Sequence, residues 1–203
     1  MSTGDRTLVL ATTNSHKVHE IADVLAGAGL HLLSLADLPP VEECVEDAET
    51  FAGNARRKAL HYSSNTGFCV LADDSGLCVD ALDGGPGIYS SRFAGGAGDD
   101  ANNELLLQKM SGVPEAERGG AFVCALCLAR PDGTVVAEVE GRVEGRIAES
   151  TLGEEGFGYD PLFRPDGHRL TFGQLPPEIK RGISHRTNAL RMLLPRLRIA
   201  DFG

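Results

Sequence analysis

The chain has 203 residues, 42% hydrophobic and 24% charged, which is typical of a globular protein and excludes a disordered one. This length fits one domain over 1–203, with a core that needs no disulfide or metal. With 29 acidic against 19 basic residues, the net charge is −10, which disfavours general binding to nucleic acid or an anionic membrane. The longest uncharged apolar run, 121–129, is too short to span a membrane.

The five cysteines also limit the possibilities. Their odd number, with no recognisable signal peptide at the start of the sequence, predicts a reducing compartment and a cytoplasmic location. Cys124 and Cys127 form a C-x-x-C pattern inside the apolar run 121–129. Residues three apart on a strand point to opposite faces, so we interpret these two as buried structural cysteines rather than a redox or zinc pair.

The first half of the chain is predicted to alternate short buried strands with helices. Apolar residues at helical spacing indicate the helices, and short apolar runs indicate the strands. In chain order, the predicted elements are a strand at 8–11, a helix from Asn14 or Ser15 to about 28, a helix at about 50–63, a strand at 68–72 that stops at Asp73, and a helix at about 100–110.

The second half begins with a different pattern. The segments 121–129 and 134–140, joined by a Pro-Asp-Gly turn, predict a long antiparallel hairpin. A glycine-rich region at 153–173 follows, and a last helix is expected from Ser184, kinked or ended by Pro195. The order predicts an α/β fold with a mixed central sheet and flanking helices.

Two of the predicted strands end in polar clusters, which makes them candidates for one site, because ligands bind at the carboxyl ends of strands in open α/β sheets. In the first cluster, Thr12, Thr13 and Asn14 precede a helix whose first turn carries Lys17. A cation there opposes the helix dipole unless an anion binds the free N–H groups. A phosphate cradle and a capped helix with a solvated lysine are the two interpretations.

The second cluster, Asp73-Asp74, suggests a cation site, because Mg²⁺ is commonly held by one or two carboxylates together with substrate phosphates. Successive residues of an extended chain point in opposite directions, so one of the pair is expected to face the metal. The alternative is a polar turn in which Asp73 accepts backbone N–H groups.

Four further segments are candidates. One carboxylate of the acidic stretch 42–49 could be a second metal ligand, and spacing alone does not choose it. Asn54 and Lys58 share a helix face, which indicates either a phosphate contact or an exposed stripe. Phe157 and Tyr159 lie among glycines, which fits base stacking or a core plug. In the fourth segment, 184–186, a Ser–His hydrolase is disfavoured because the sequence contains no G-x-S-x-G elbow.

These motifs together resemble the inosine triphosphate pyrophosphatase family, the dITP/XTP pyrophosphatases. The resemblance spans residues 8–190, in the order of the family's motifs. It implies two lobes around a cleft, a homodimer, and a purine nucleoside triphosphate as substrate. The matching segments are LATTNSHKVHEI, ETFAGNARRKA, LADDSGLCVDALDGGPGIYSSRFAG, EEGFGYDPLF and ISHRTNAL.

The resemblance also implies roles for particular residues. Asp74 matches the catalytic carboxylate, which binds Mg²⁺ together with Glu46. Lys58 and Lys180 match substrate lysines, and His185 and Arg186 match the purine readers. The full set of implied substrate contacts is Thr12, Thr13, Asn14, Ser15, His16, Lys17, Lys58, Ser75, Phe157, Gly158, Tyr159, Asp160, Lys180, His185 and Arg186.

The implied activity is Mg²⁺-dependent hydrolysis of ITP, dITP or XTP to the monophosphate and pyrophosphate. Two alternatives stay open: a pyrophosphatase acting on modified pyrimidine triphosphates, and a non-catalytic nucleotide sensor. The sensor is supported only by departures from the family motifs. Thr13 and His16 stand where the family usually has glycines, and Gly53 stands where it usually has glutamate.

Overall fold

The computed structural model describes residues 6–199 as a mixed α/β fold. The strands are β1 (Thr7–Leu10), β2 (His31–Ser34), β3 (Cys69–Val79), β4 (Gly119–Ala129), β5 (Val135–Ile147) and β6 (Phe163–Pro165). The α-helices are α1 (Ser15–Leu25), α2 (Phe51–Thr66), α3 (Asp99–Lys109), α4 (Pro177–Ile183) and α5 (His185–Ile199). Short 3-10 turns occupy Leu35–Asp37, Asp80–Leu82, Gly87–Arg92 and Glu115–Glu117.

The six strands form one mixed sheet in the order β2-β1-β3-β4-β5-β6. β1 runs parallel to both β2 and β3, whereas β5 and β6 are antiparallel. β4 and β5 are neighbours joined by a tight turn, in which the N–H of Arg130 donates to the carbonyl of Thr134 over 2.9 Å. The predicted fold class and hairpin are confirmed, and β5 continues to Ile147, further than the expected end at 140.

The chain divides into two compact units. Within the described residues, unit 1 comprises 6–74, 124–141 and 186–199, and unit 2 comprises 75–123 and 142–185. Three strands, β3, β4 and β5, contribute residues to both units. The single domain over 1–203 and the homodimer stay predictions.

Each unit has its own hydrophobic core. In unit 1, apolar residues of β1, β3 and β4 pack with residues of α1 and α5, including Leu8, Leu71 and Leu190. In unit 2, the aromatic residues Phe163 and Phe172 pack with aliphatic residues of β3 and α3. Burying a side chain of this size contributes about 1.5–3 kcal/mol, so these two clusters dominate the stability of their units.

Local signals in the sequence explain where the first two helices begin and end. Asn14 caps α1, because its side chain accepts from the backbone N–H groups of His16 and Lys17. Thr50 caps α2 by accepting from the N–H of Gly53 over 3.0 Å. Gly67 ends α2 in the left-handed conformation, with φ +74°, which glycine adopts without steric cost. The predicted starts of these two helices are confirmed.

Several predicted boundaries are wrong. The strand expected at 68–72 does not stop at Asp73 but continues to Val79, because the two aspartates find ion-pair and hydrogen-bond partners. Pro195 lies inside α5 and does not end it. The expected start of the last helix agrees with the structure, because α5 begins at His185, directly after Ser184, which also ends α4. The short elements β2 and α4 were not predicted.

The cysteines behave as structural residues. All five are free, and Cys124 and Cys127 are buried, as predicted. Burial raises the pKa of the Cys127 thiol to about 12, which leaves it protonated at neutral pH. Within residues 6–199, no helix is both long and apolar enough to cross a membrane.

Candidate active site

Asp73 is the most heavily paired carboxylate described in unit 1. Its Oδ1 accepts from the ammonium of Lys17 over 2.5 Å, and its Oδ2 accepts from Nε of Arg186 over 2.8 Å. The thiol of Cys124 also donates to Oδ2, over 3.1 Å. Burial alone would raise the pKa of Asp73, but Arg186 and Lys17 outweigh it and hold this pKa well below its usual value.

The partners of Asp73 come from separate elements of unit 1. Lys17 lies in the first turn of α1, Cys124 in β4, and Arg186 in the first turn of α5. Arg186 also forms an ion pair with Glu20 of α1. The polar cluster that follows β1 and the aspartates of β3 are thus brought together, as the sequence predicted. The alternative of a polar turn at Asp73 is wrong, because Asp73 is a strand residue with charged partners.

Asp74, the next residue of β3, has weaker partners than Asp73. Its Oδ2 accepts from the amide of Asn54 over 3.1 Å, and its Oδ1 lies 3.8 Å from the ammonium of Lys58. Burial raises the pKa of Asp74, and the opposing effects of Lys58 and Asn54 do not cancel the increase. A carboxylate with a raised pKa and longer contacts suits proton transfer better than one held closely by two cations.

Lys58 contacts both the aspartates of β3 and Glu46 of the acidic stretch 42–49. Its ammonium donates to the carbonyl oxygen of Asp73 over 2.7 Å and lies 2.9 Å from Oε2 of Glu46. Burial lowers the pKa of Lys58, but Asp74 and Glu46 outweigh it and leave the pKa raised, so this side chain stays charged. The exposed-stripe interpretation of Asn54 and Lys58 is wrong, because their exposed fractions are 1% and 7%.

Asn54 links Asp74 to the acidic segment that precedes α2. Its Oδ1 accepts from the N–H of Ala48 over 2.9 Å, while its amide donates to Asp74. A Cβ at Gly53 would lie 2.7 Å from the Cβ of Ala48, closer than real Cβ contacts. The glycine at position 53 therefore has a structural reason in this chain: it lets the acidic segment pack directly against the start of α2.

The carboxylates of Glu46 and Asp74 fit a hard divalent cation. Both approach the ammonium of Lys58, and carboxylate oxygens are the ligands that Mg²⁺ prefers. No group of three or more His, Cys, Asp or Glu side chains suited to a metal occurs among residues 6–199. Binding of a cation by these two carboxylates, completed by phosphates, stays a prediction.

The segment that begins α1 is exposed from Thr13 to His16. The N–H groups of His16 and Lys17 donate to Oδ1 of Asn14, over 2.9 and 3.2 Å. Thr12 in turn accepts from the N–H of Asn14 over 3.1 Å. The loop is ordered by its own side chains, and binding of phosphate by it stays a prediction.

In unit 2, the predicted base-stacking segment is organised around one buried ion pair. The ammonium of Lys180 lies 2.5 Å from Oδ2 of Asp160, and the same oxygen accepts from the N–H of Phe157 over 2.8 Å. The ammonium also lies 4.7 Å from the centre of the Phe157 ring, within the range of a cation–π contact. Three of the predicted substrate residues are therefore in mutual contact.

The remaining predicted residues fall into different surroundings. His185 stacks on Phe122 in unit 2, with ring centres 4.8 Å apart and an interplanar angle of 11°. Tyr159 is a core residue of unit 2, and its hydroxyl donates to the carbonyl of Ser90 over 2.8 Å. Arg186, 1% exposed, is paired with two carboxylates of unit 1, an arrangement that the purine-reader role did not anticipate. Ser75 is half-buried beside Asp74.

Comparison with known proteins places this set of residues in a family. The Ham1 family model matches residues 8–196. The chain belongs to the Ham1 family. It is 47% identical to a dITP/XTP pyrophosphatase of Rhodopirellula baltica over 191 residues, which cover 94% of this chain and 92% of the relative. It is 49% identical to the dITP/XTP pyrophosphatase of Exiguobacterium sp. over 187 residues, which cover 92% of this chain and 94% of the relative.

Solved Ham1 structures agree with the fold. The Ham1 protein of Staphylococcus aureus is similar to this chain with a TM-score of 0.84 and 38% identity, covering 94% of this chain and 97% of that one. The dITP/XTP pyrophosphatase of Mycobacterium abscessus matches with a TM-score of 0.76 and 44% identity, over 93% and 99% of the two chains. The family resemblance seen in the motifs is confirmed.

As a Ham1-family chain, the protein contains polar contacts that its motifs did not reveal. The link from Asn54 to both Asp74 and Ala48 was missed, although Asn54 lies on the same helix face as Lys58. The thiol of Cys124 was interpreted only as a core residue, yet it donates to Asp73. No sequence signal identifies either contact, because each depends on which side chains the fold brings together.

Proposed function

We propose that this chain hydrolyses deaminated purine nucleoside triphosphates, ITP, dITP and XTP, to the monophosphate and pyrophosphate. The observation that carries the proposal is the cluster in unit 1 where Asp74 lies beside Lys58 and Glu46, with Lys17 paired to the adjacent Asp73. The relatives named dITP/XTP pyrophosphatases, at 47–49% identity over nearly the whole chain, support this substrate class.

Asp74 is proposed as the residue that orients and deprotonates the attacking water. Its hydrogen bond from Asn54 fixes the direction of the carboxylate, and its other oxygen lies 3.8 Å from the ammonium of Lys58. Glu46 and Asp74 are proposed to hold Mg²⁺. When bound, the cation would neutralise phosphate charge and favour ionisation of water. The water oxygen would form a bond to the α phosphorus and give its proton to an Asp74 oxygen, while the anhydride bond to the β phosphate breaks and pyrophosphate leaves.

The two lysines of unit 1 are proposed to contact the phosphates. Lys58 remains charged while buried, so it offers a desolvated cation, which interacts with an anion more strongly than an exposed one. Lys17 is held by Asp73, which limits the conformations of its long side chain before any ligand arrives. The segment from Thr12 to His16, exposed from Thr13 onward, is proposed to complete the phosphate contacts, together with Ser75, which follows Asp74.

Recognition of the base is proposed for residues of unit 2, on the strength of the family resemblance. Phe157 is proposed to stack on the purine, and Lys180 and His185 are proposed to contact it, with Gly158 and Asp160 forming the turn that carries the ring. A site whose donors face a 6-keto oxygen rejects an adenine, which presents an amino group there. For Arg186, the pairing with Asp73 supports a role in holding the catalytic strand rather than in reading the base.

The decisive experiment measures pyrophosphate and orthophosphate separately after incubation with Mg²⁺ and ITP, dITP, XTP, ATP or GTP. We expect pyrophosphate from the first three, abolished in Asp74→Asn and retained in the control Asp166→Asn, which changes an exposed aspartate. Orthophosphate alone, or equal turnover of ATP, would contradict the proposal. Pyrophosphate release from modified pyrimidine triphosphates alone would support that rival substrate class, and nucleotide binding without turnover would support a sensor.

The assembly and location of the chain are further proposals. A homodimer is proposed from the family resemblance, and light scattering of the purified protein tests it. A cytoplasmic location is supported by the five cysteines, all of which are free, as expected in a reducing compartment.

A further inference from the structure

Two side chains at the start of α3 hold the backbone of Gly158 from both sides. Oδ2 of Asp99 accepts from the N–H of Gly158 over 2.7 Å. The amide of Asn103 donates to the carbonyl of Gly158 over 3.0 Å. Asp99 and Asn103 are four residues apart on the helix, so their side chains lie on one face and reach the same glycine.

Side chains consequently hold three polar groups of the backbone next to the Phe157 ring. The N–H of Phe157 donates to Asp160, and both polar groups of Gly158 are held by α3. Gly158 has φ +62°, a conformation that other residues adopt only with strain, so the turn is specific at this position. The direction of the Phe157 side chain therefore depends on contacts that α3 supplies.

Asn103 differs from its neighbour Asn102 in how much of its amide is used. Asn102 is satisfied at both ends, because its Oδ1 accepts from Ala94 over 2.8 Å and its Nδ2 donates to Ser91 over 3.3 Å. Asn103 is 5% exposed, and among the described residues its Oδ1 is a buried acceptor without a hydrogen-bond partner. A buried amide whose oxygen lacks a hydrogen-bond partner costs stability. Stability alone therefore does not explain why Asn103 occupies this position and bonds to Gly158.

We propose that Asp99 and Asn103 are positioning residues for base selectivity: they hold the Phe157–Gly158 peptide so that the Phe157 ring is already directed toward the purine. The inference rests on the proposed function, in which Phe157 stacks on the base. Neither residue touches the Asp74 cluster of unit 1 through any contact described, so their loss changes base binding and leaves the chemical step intact. The ligand class is a 6-keto purine nucleotide.

A competing explanation assigns Asp99 to the stability of α3, because a negative charge in the first helical turn interacts favourably with the helix dipole. The two roles respond differently to conservative change. Asp99→Asn keeps an acceptor oxygen for the N–H of Gly158 and removes the charge. Positioning predicts that Asp99→Asn retains selectivity while Asp99→Ala loses it, whereas a dipole role predicts equal effects.

The kinetic experiment compares Asp99→Ala, Asp99→Asn and Asn103→Ala with Asn102→Ala, which removes a buried amide from the same helix without touching Gly158. We expect KM for dITP to rise roughly 3- to 10-fold in Asp99→Ala and Asn103→Ala, the effect of one lost hydrogen bond, with kcat within about twofold. The ratio of kcat/KM for dITP over dATP should fall in the same two variants. An unchanged KM, or a loss confined to kcat, would overturn the proposal.

A second measurement needs no activity. Amide hydrogen exchange at residues 157–158 of the unliganded protein should accelerate in Asp99→Ala and Asn103→Ala and stay at the wild-type rate in Asn102→Ala. Because Asp99 is exposed, Asp99→Ala keeps the test valid even where Asn103→Ala does not fold. If the wild type hydrolyses no triphosphate, the proposed function fails by itself, and the exchange rates still decide whether α3 holds this peptide.

Discussion

Two groups of buried polar residues show opposite ways of building a site. The charged cluster of unit 1 consists of Lys17, Lys58, Asp73, Asp74 and Arg186, joined by contacts between side chains and one backbone carbonyl. The aromatic cluster of unit 2 consists of one ion pair and several rings that are connected through Phe172: Phe122, Phe157, Asp160, Phe172, Lys180 and His185. The first suits a ligand defined by charge and the second a ligand defined by shape.

The difference matters for what happens when one member is lost. In the charged cluster, each buried charge offsets the desolvation of another, so removing one leaves its partners buried and unpaired. In the aromatic cluster, the ring contacts are spread over many atoms, and the loop that carries Phe157 is held by hydrogen bonds to its backbone. We therefore expect that substitutions in the charged cluster lower the stability of the protein, whereas substitutions around the aromatic cluster displace the loop that carries Phe157.

The largest effect is expected from Asp73→Ala. This change removes the carboxylate that pairs with Lys17 and with Nε of the buried Arg186. Breaking a buried pair from one side costs about 3–5 kcal/mol, so the free energy of unfolding in urea should fall by that amount. The exposed control Asp166→Ala should change it by less than about 0.5 kcal/mol. A loss of under about 1 kcal/mol for Asp73→Ala would contradict the idea of an interdependent cluster.

The stability lost in Asp73→Ala is also expected to depend on pH. Arg186 and Lys17 hold the pKa of Asp73 well below its ordinary value of 3.8, so the pKa in the folded state is lower than in the unfolded state. The stabilisation is then complete above the unfolded pKa, near pH 4, and is lost as the pH falls toward the folded pKa. The stability difference between wild type and Asp73→Ala should be constant from pH 5 to 7 and shrink below pH 4. A difference that grows with acidity would contradict this account.

The parts of unit 1 that rest on local chemistry could be predicted from the sequence. A capping residue before an apolar periodic segment identifies the start of α1 and α2, and parallel strands bring the segments after β1 and within β3 to one region. The pairing of Asp73 with Arg186 could not be predicted, because the two residues are 113 positions apart in the chain. The same limit explains the wrong end of β3: two aspartates stay in a strand only when distant residues pair with them.

In unit 2, the sequence indicated the aromatic segment but not what holds it. Glycines around Phe157 predicted a ligand-facing loop, and the sequence left base stacking and core packing open. Tyr159 lies in the core, and base stacking by Phe157 stays a prediction. The hydrogen bonds that Asp99 and Asn103 form with Gly158 join a helix to a loop, across 59 and 55 residues respectively. No pattern of residue types encodes such a contact between a side chain and a distant backbone group.

The second largest effect is expected from Asn54→Ala, and it concerns activity. Asn54 fixes the direction of Asp74 and ties down the segment that carries Glu46, through its bond from Ala48. Loss of a residue that orients a metal-binding or catalytic carboxylate typically reduces activity roughly 10- to 100-fold. Steady-state pyrophosphate release measures it, at saturating Mg²⁺ and over a range of Mg²⁺ concentrations. Asn65→Ala, an exposed change on the same helix, is the control, and equal rates in both variants would refute the orienting role.

Tyr159→Phe is expected to have a smaller effect. Only the hydroxyl is lost, and with it the bond to the carbonyl of Ser90, while the ring stays in the core of unit 2. A buried hydrogen bond of this kind contributes about 0.5–1.5 kcal/mol, and urea unfolding should show a loss of that size. If the hydroxyl contacts substrate instead, the variant will keep its stability and lose affinity for the nucleotide. The two measurements together distinguish a core tyrosine from a binding one.

The smallest effect is expected from Arg56→Ala, which tests whether ion pairing by itself stabilises unit 1. Arg56 pairs with Glu138 over 3.0 Å, a distance similar to those within the charged cluster, but both side chains are largely exposed. Water and salt screen such a pair, so its loss should cost less than about 1 kcal/mol. Unfolding in urea at low and high salt measures this, and the cost should approach zero as salt rises. A salt-resistant loss as large as that of Asp73→Ala would mean that burial is not what separates the two kinds of pair.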